Sequence, residues 1–183
     1  DEIFSRQQFL DWFDLDHLGR SAAQFDEAKL RWVNAQHLKA MDGAALAALV
    51  AQHLKNRGIE PDDRLEGICQ LLKDRCDTTV ALADWAQKFY ADVQPSADDV
   101  AQHVTDAVKP ALAALAAQLQ QVAWQTPAIA AAIKQVLTET GLKMPQLAMP
   151  VRVLVMGTPQ TPSVDAVLFL CGREKVLARL AAA

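Results

Sequence analysis

The sequence predicts an all-α protein built from two consecutive helical subdomains. Alanine and leucine dominate its 183 residues while only seven glycines are present, a composition that favours helices over sheets. Apolar residues recur at three- and four-residue spacing through most of the chain, which is the periodicity of helices with one buried face. Helix-capping residues and prolines separate these stretches, so each helix can be bounded from the sequence.

The amino-terminal region begins with a short amphipathic helix. Ser5 and Gln8 have the spacing of a capping box, in which each residue binds the other's backbone N–H. A turn over 14–19 follows. Asp26 is the predicted N-cap of the next helix. One face of that helix carries Leu30, Val33, Asn34, His37, Leu38 and Met41.

Three further helices are predicted in the first half of the chain. The first covers 44–57 and ends at Gly58, because glycine adopts the left-handed backbone conformation that stops a helix. The second covers 65–73. The third covers 79–90, with an inward face formed by Leu82, Trp85, Ala86 and Phe89.

A domain boundary is predicted at residues 91–96, where Val93-Gln94-Pro95-Ser96 breaks the helical pattern. This gives subdomains at 1–92 and 93–183. The second subdomain continues with helices at 97–108, 110–123 and 126–140, and Gly141 ends the last of these. A capping serine or a proline marks each beginning, since proline is tolerated in the first turn of a helix.

The closing stretch, 149–180, is predicted to form a helix, a rigid loop and a second helix. Pro150 suits the first position of the first helix, and Gly157 can end it. The loop at 158–163 contains two prolines and cannot be helical. Apolar residues return at helical spacing from Val164 to residue 180. The alternation of Met149, Val151, Val153 and Val155 also fits a strand, and local propensity does not decide between the two.

Charge is distributed unevenly between the two halves. The formal net charge of the chain is −4. Residues 1–92 hold 11 Lys/Arg and 16 Asp/Glu, so 11 − 16 = −5, and residues 93–183 hold 7 and 6, so 7 − 6 = +1. An acidic chain is not expected to bind nucleic acid indiscriminately, so any RNA contact should be local and depend on shape.

Sequence motifs for catalysis and metal binding are absent. The chain has no glycine-rich phosphate loop and no His-Glu-x-x-His pair. Its three cysteines lack the spacing of a zinc site or a disulfide framework, and we expect free thiols in a reducing cytoplasm. There is no apolar run long enough to cross a bilayer and no basic signal sequence at the start, so we expect a cytoplasmic protein without membrane contact. The absence of an initiator methionine suggests part of a longer protein.

Three blocks, at 21–41, 71–90 and 143–180, resemble bacterial glutamyl-tRNA synthetases. The first contains F-D-x-x-K-L-x-W-x-N, the second an arginine shortly before a threonine turn, and the third M-P-V-R followed by T-P-S-V and G-R-E-K-V-L-A-R-L. The family's K-M-S-K-S and H-I-G-H signatures, which belong to its catalytic domain, are missing. The resemblance implies a stem-contact module followed by an anticodon-binding α-helical cage. It also implies a helix rather than a strand at 149–156.

The same resemblance implies the residues that contact the anticodon. They are Arg75, Arg152, Thr161, Pro162 and Val164, each matched by its place in the motifs. The family places an arginine at the position of Arg75 to favour the glutamate anticodon over the glutamine one. From the residues alone, Asp74 and Asp77 offer the alternative of a surface ion pair for Arg75.

The expected function is therefore recognition of the tRNA-Glu anticodon loop by the carboxy-terminal part of a glutamate–tRNA ligase. Catalysis, ATP and Mg²⁺ would belong to the missing amino-terminal catalytic domain, and this chain is expected to be a monomer with no cofactor or metal of its own. For Trp32 and Asn34, packing on a neighbouring helix and a role toward RNA or another domain both remain open. The alternative function is an α-helical protein–protein adaptor that binds no RNA, docking through the apolar face of 164–180.

Overall fold

The computed structural model describes residues 3–17, 19 and 24–181, and within these ranges it contains helices and no strand. This confirms the all-α prediction. The α-helices in chain order are α1 (Arg6–Trp12), α2 (Glu27–Ala40), α3 (Gly43–Lys55), α4 (Leu65–Leu72), α5 (Thr79–Tyr90), α6 (Ala97–His103), α7 (Lys109–Gln121), α8 (Thr126–Thr140), α9 (Met144–Met156), α10 (Val164–Cys171) and α11 (Arg173–Leu180). Residues 21–23 of the first resembling block lie outside the described residues.

Several helix ends form as the sequence predicts. Ser5 and Gln8 make the reciprocal capping box of α1. Asp26 accepts a hydrogen bond from the backbone N–H of Lys29 and so caps α2. Gly141 and Gly157 both have φ 68° and follow the last residues of α8 and α9. Local side-chain chemistry is therefore sufficient to place these boundaries.

Two groups of helices pack around one continuous apolar core. In the first group α3, α4 and α5 pack on one another; in the second α7 packs on α8 and α11, and α9 packs on α6. Helix α10 contacts α8 and α9 and also reaches α4 and α5, so it joins the groups. Residues 91–96 form no helix, but the division into two subdomains at 92 and 93 stays a prediction.

The start of α9 differs from the prediction. The helix begins at Met144, with Pro145 in its first turn, and Pro150 lies inside it. The first Met-Pro pair, not the second, therefore occupies the position that tolerates a missing N–H. Inside the helix, Pro150 has no N–H to donate a hydrogen bond to the preceding turn. The strand alternative for 149–156 is excluded, and nearly every residue of this stretch is buried.

Two other helices were predicted too long. Helix α6 ends at His103, because Val104 turns away from helical geometry and its side chain packs into the core with that of Val108. The stretch from Val164 to residue 180 is two helices, divided at Gly172, whose φ of 84° is incompatible with a continuous helix. None of the helices in the described part of the chain has the length and apolar character needed to cross a lipid bilayer.

Candidate nucleic-acid interface

Arg75 lies on the surface at the turn between α4 and α5. Helix α4 tightens into a 3₁₀ turn, Lys73–Arg75, and the chain then leaves helical geometry at Cys76. The Arg75 guanidinium donates a hydrogen bond from Nη2 to the carbonyl oxygen of Thr161, at 3.2 Å. Arg75 makes no ion pair with Asp74 or Asp77, so the surface-pair alternative is wrong, and Asp77 is paired with Arg31 instead.

Thr161 and Pro162 lie in the loop between α9 and α10, and both are buried. Thr161 is only 5% exposed, and its hydroxyl donates a hydrogen bond to the carbonyl oxygen of Pro162 at 3.0 Å. Their side chains fill space beneath the loop, while their carbonyl groups accept hydrogen bonds from arginines. The loop therefore supplies backbone carbonyl oxygens that accept hydrogen bonds from arginine side chains and so orient them.

Arg152 approaches the same loop from α9. Its Nη2 donates to the Pro162 carbonyl oxygen at 3.4 Å, whereas its buried Nε finds no hydrogen-bond acceptor among the described residues. Burial lowers the pKa of Arg152, and the nearby positive charge of Arg75 lowers it further. The two guanidinium groups are thus close enough to repel each other.

No carboxylate among the described residues forms an ion pair with either Arg75 or Arg152. The acidic side chains that flank the site in sequence are exposed or engaged elsewhere, as with Asp77 and Arg31. Two like charges close together repel each other, and an anionic or electron-rich group bound beside them would offset that repulsion. This arrangement differs from a structural salt bridge and would favour an anionic or electron-rich ligand.

A largely apolar cleft of about 400 Å³ opens beside Arg152. Val164, which is buried at the first position of α10, forms part of its wall. The other lining residues come from α8, α9 and the start of α10: Ala130, Ile133, Lys134, Met144, Ala148, Ser163 and Asp165. Its walls are largely apolar, and its charged lining residues are Arg152, Lys134 and Asp165. Apolar walls beside polar groups suit a flat ring that carries polar edges.

The five residues predicted from the sequence come together in one place, although they span residues 75 to 164. Sequence reasoning missed the contribution of α8 and of Met144. The repeated Met-Pro pair was a usable signal, because the first pair starts α9 and puts Met144 at the cleft. No comparable signal marks Ile133 or Lys134, which reach the cleft only through tertiary packing. Among the described residues no group of His, Cys, Asp or Glu is arranged to hold a metal ion.

Comparison with known proteins identifies relatives of this chain. A family model described as "Anticodon binding domain" matches residues 45–183. The glutamate–tRNA ligase of Verminephrobacter eiseniae (strain EF01-2) is 68% identical over 188 aligned positions, and that of Leptothrix cholodnii (strain ATCC 51168 / LMG 8142 / SP-6) is 55% identical over 183. Each alignment takes in 98% of this chain but 39% of the relative, so the chain spans well under half the length of these proteins.

Solved structures share the fold. A crystal structure of a glutamate tRNA ligase from Elizabethkingia meningosepticum, in complex with its amino acid, superposes with a TM-score of 0.93 at 21% identity. The superposition covers 100% of this chain and 37% of the Elizabethkingia meningosepticum chain. The glutamate–tRNA synthetase of Elizabethkingia anophelis gives a TM-score of 0.87 at the same identity. At such low identity the likeness extends to the helical architecture alone.

Proposed function

This chain belongs to the anticodon-binding domain family, and on that premise we propose that it is the tRNA-reading part of a glutamate–tRNA ligase. Its role is to grip the anticodon loop of tRNA-Glu, while the remainder of the parent enzyme attaches glutamate to the distant acceptor end. ATP and Mg²⁺ serve that remainder, and no residue of this chain is assigned to them. The comparisons give no support to the adaptor alternative.

The arginine pair and the cleft carry this proposal. Unpaired anticodon bases offer carbonyl oxygens and ring nitrogens along their edges, and the planar guanidinium fork matches such acceptors. The apolar wall that includes Val164 and Met144 can receive the face of a base that has left the stack. Arg75 and Arg152 are already oriented by the carbonyl groups of Thr161 and Pro162, so little side-chain entropy is lost on binding.

The acidic character of the chain supports recognition by shape instead of by general charge. At a net charge of −4 the protein gains little from the long-range field of the phosphate backbone. We therefore expect a shallow dependence of affinity on salt concentration, because few phosphates are neutralised. The protein acts as a monomer in the cytoplasm, in contact with its own catalytic domain and with one tRNA.

The test is binding of the 183-residue chain to a fluorescent RNA hairpin that carries the glutamate anticodon. Arg152→Ala should weaken binding by about tenfold, since it removes hydrogen bonds from a charged donor. Arg152→Lys keeps the charge but not the fork and should recover only part of this loss. Lys39→Gln, an exposed change of the same charge on α2, is the matched control and should leave binding unchanged.

Two results would overturn the proposal. One is that the wild-type chain binds the hairpin no better than a hairpin of scrambled loop sequence. The other is that Arg152→Ala and the Lys39→Gln control both bind the hairpin as tightly as the wild type does.

A further inference from the structure

Helix α2 contacts the turn that carries Arg75. The residue contacted is Asp77, two positions after Arg75 in the chain. Arg31 donates from Nη1 to Oδ2 of Asp77 at 3.2 Å, and Asn34 donates from Nδ2 to the backbone carbonyl of the same residue. Glu27, one helical turn earlier, binds Arg31 at 3.0 Å and holds it in place. We call Arg31, Asn34 and Asp77 the α2 clamp.

Asp77, the residue of the α2 clamp that lies in the turn, belongs to a short segment whose neighbouring residues are already held in place. Cys76 is buried, and Thr78 caps α5 by accepting a hydrogen bond from the backbone N–H of Ala81 at 3.1 Å. Asp77 is between them, and its carbonyl group and side chain both point to α2. The backbone that presents Arg75 is therefore held by α4 on one side and by the clamp on the other.

We propose that Arg31 and Asn34 are positioning residues for Arg75, so that α2 sets the placement of an anticodon-reading side chain. This inference rests on the proposed function, because it gives the clamp a role in tRNA recognition. It also answers the open question about Asn34, which contacts the Arg75 turn, whereas Trp32 on the same helix remains exposed.

Stability alone gives a weak reason for this arrangement. The Arg31 and Asp77 side chains are 54% and 39% exposed, and exposed ion pairs contribute little to folding. Only Leu38 of α2 is fully buried, so apolar packing defines the position of this helix poorly. Polar contacts with defined geometry are then what sets the distance between α2 and the turn. These contacts are made to Asp77, which is two residues from Arg75. Under the proposed function, Arg75 must lie within hydrogen-bond distance of a base edge.

The experiment measures the preference of the 183-residue chain for a hairpin with the glutamate anticodon over one with the glutamine anticodon. Arg75→Gln should reduce this preference about tenfold, because it removes the guanidinium fork. Arg31→Gln and Asn34→Ala keep the Arg75 side chain and should each reduce the preference about threefold by loosening the turn. Arg31→Lys can still pair with Asp77 and should retain most of the preference.

A double-mutant cycle separates positioning from a general loss of structure. In the Asn34→Ala background, Arg75→Gln should cost less than about threefold, because the arginine is already misplaced. Arg57→Gln breaks another Arg–Asp pair, with Asp84 at 2.6 Å, which includes no residue of the turn that carries Arg75, and serves as the matched control. That variant should keep the wild-type preference, and its melting temperature should match that of Arg31→Gln.

The outcomes distinguish the two proposals. If the wild type shows a preference that Arg75→Gln abolishes, but the clamp variants retain it and the cycle is additive, the positioning inference is overturned and the proposed function stands. If the wild type shows no preference and Arg75→Gln changes nothing, the role of Arg75 in reading the anticodon fails, and this inference fails with it.

Discussion

At the scale of single residues, the site depends on which groups the backbone leaves available. Thr161 and Pro162 were expected to contact the anticodon, yet the side chains of both are buried. What they offer instead are two consecutive carbonyl groups, each bound by a different arginine. The buried Thr161 hydroxyl donates a hydrogen bond to the Pro162 carbonyl and helps to hold the loop in the conformation that presents both carbonyl groups.

Thr161→Val tests the contribution of that hydroxyl to stability. The substitution keeps the shape of the side chain but leaves the Pro162 carbonyl with one donor fewer, so the free energy of unfolding should fall by about 1 kcal/mol. Urea denaturation measures this change. Thr161→Ser keeps the hydroxyl and should lose less; a Thr161→Val protein as stable as the wild type would show that the hydrogen bond contributes nothing.

At the scale of helices, the ends are decided by capping chemistry and the interiors by burial. Helix α9 is buried over most of its second half and tolerates an internal proline, because its side chains pack on several neighbours. The end of α9 is nevertheless set by local backbone geometry. Gly157 takes φ 68°, and its N–H donates a hydrogen bond to the Val153 carbonyl at 2.9 Å. The loop that holds both arginines starts at this glycine.

Gly157→Ala should destabilise the protein by about 1 kcal/mol, since a Cβ atom is strained at positive φ. The space around the position would permit the atom: the nearest contact would be Val93 Cβ at 3.5 Å, so backbone strain is the cause. Gly157→Asn should cost less, because asparagine tolerates the left-handed region. Thermal unfolding of the three proteins is the measurement, and equal melting temperatures for alanine and wild type would contradict the argument.

At the scale of the whole molecule, α11 ties the two halves together through cations bound to carbonyl groups. Arg179 donates to the carbonyl of Val155 on α9 and to those of Lys88 and Ala91 at the end of α5. Lys175 binds the Tyr90 carbonyl, and Arg173 those at the end of α7. These are the unsatisfied carbonyls of helix ends, where positive charge is favourable.

Arg179→Met should lower the free energy of unfolding by about 2–4 kcal/mol, because it leaves three carbonyl groups without their donor. Methionine replaces much of the apolar stem, so the lost hydrogen bonds dominate. Urea unfolding, followed by circular dichroism, measures the effect. Lys39→Gln removes an exposed charge and should change stability by less than about 0.5 kcal/mol; a similar loss in both variants would contradict the role of the carbonyls.

The buried thiols predict how stability depends on pH. Burial raises the pKa of Cys69 to about 12 and those of Cys76 and Cys171 to about 11, from 9.0. The unfolded chain therefore releases these protons first as pH rises. Their stabilising contribution is complete below about pH 9 and declines as pH approaches about 11.

Unfolding free energies between about pH 8.5 and 10.5 test this prediction. The reference is a chain with alanine at all three cysteine positions. Burial lowers the pKa values of Lys88 and Lys175, which acts in the opposite direction, so the informative quantity is the difference between the two curves. The wild type should lose stability faster than the alanine variant; parallel curves would mean that the thiols do not titrate differently on folding.

The sequence alone determined the helical class and most helix boundaries, because capping and 3.6-residue periodicity are local. The candidate site residues came from the resemblance to a family, and their contact with the anticodon stays a prediction. Only the tertiary structure showed that α9 starts at the first Met-Pro pair, that Gly172 divides the closing helix and that α8 contributes to the cleft. It alone brought Arg75 to the loop beside Arg152, across 86 residues of chain. Such contacts depend on how helices pack around a shared core, and local sequence preferences carry no information about that packing.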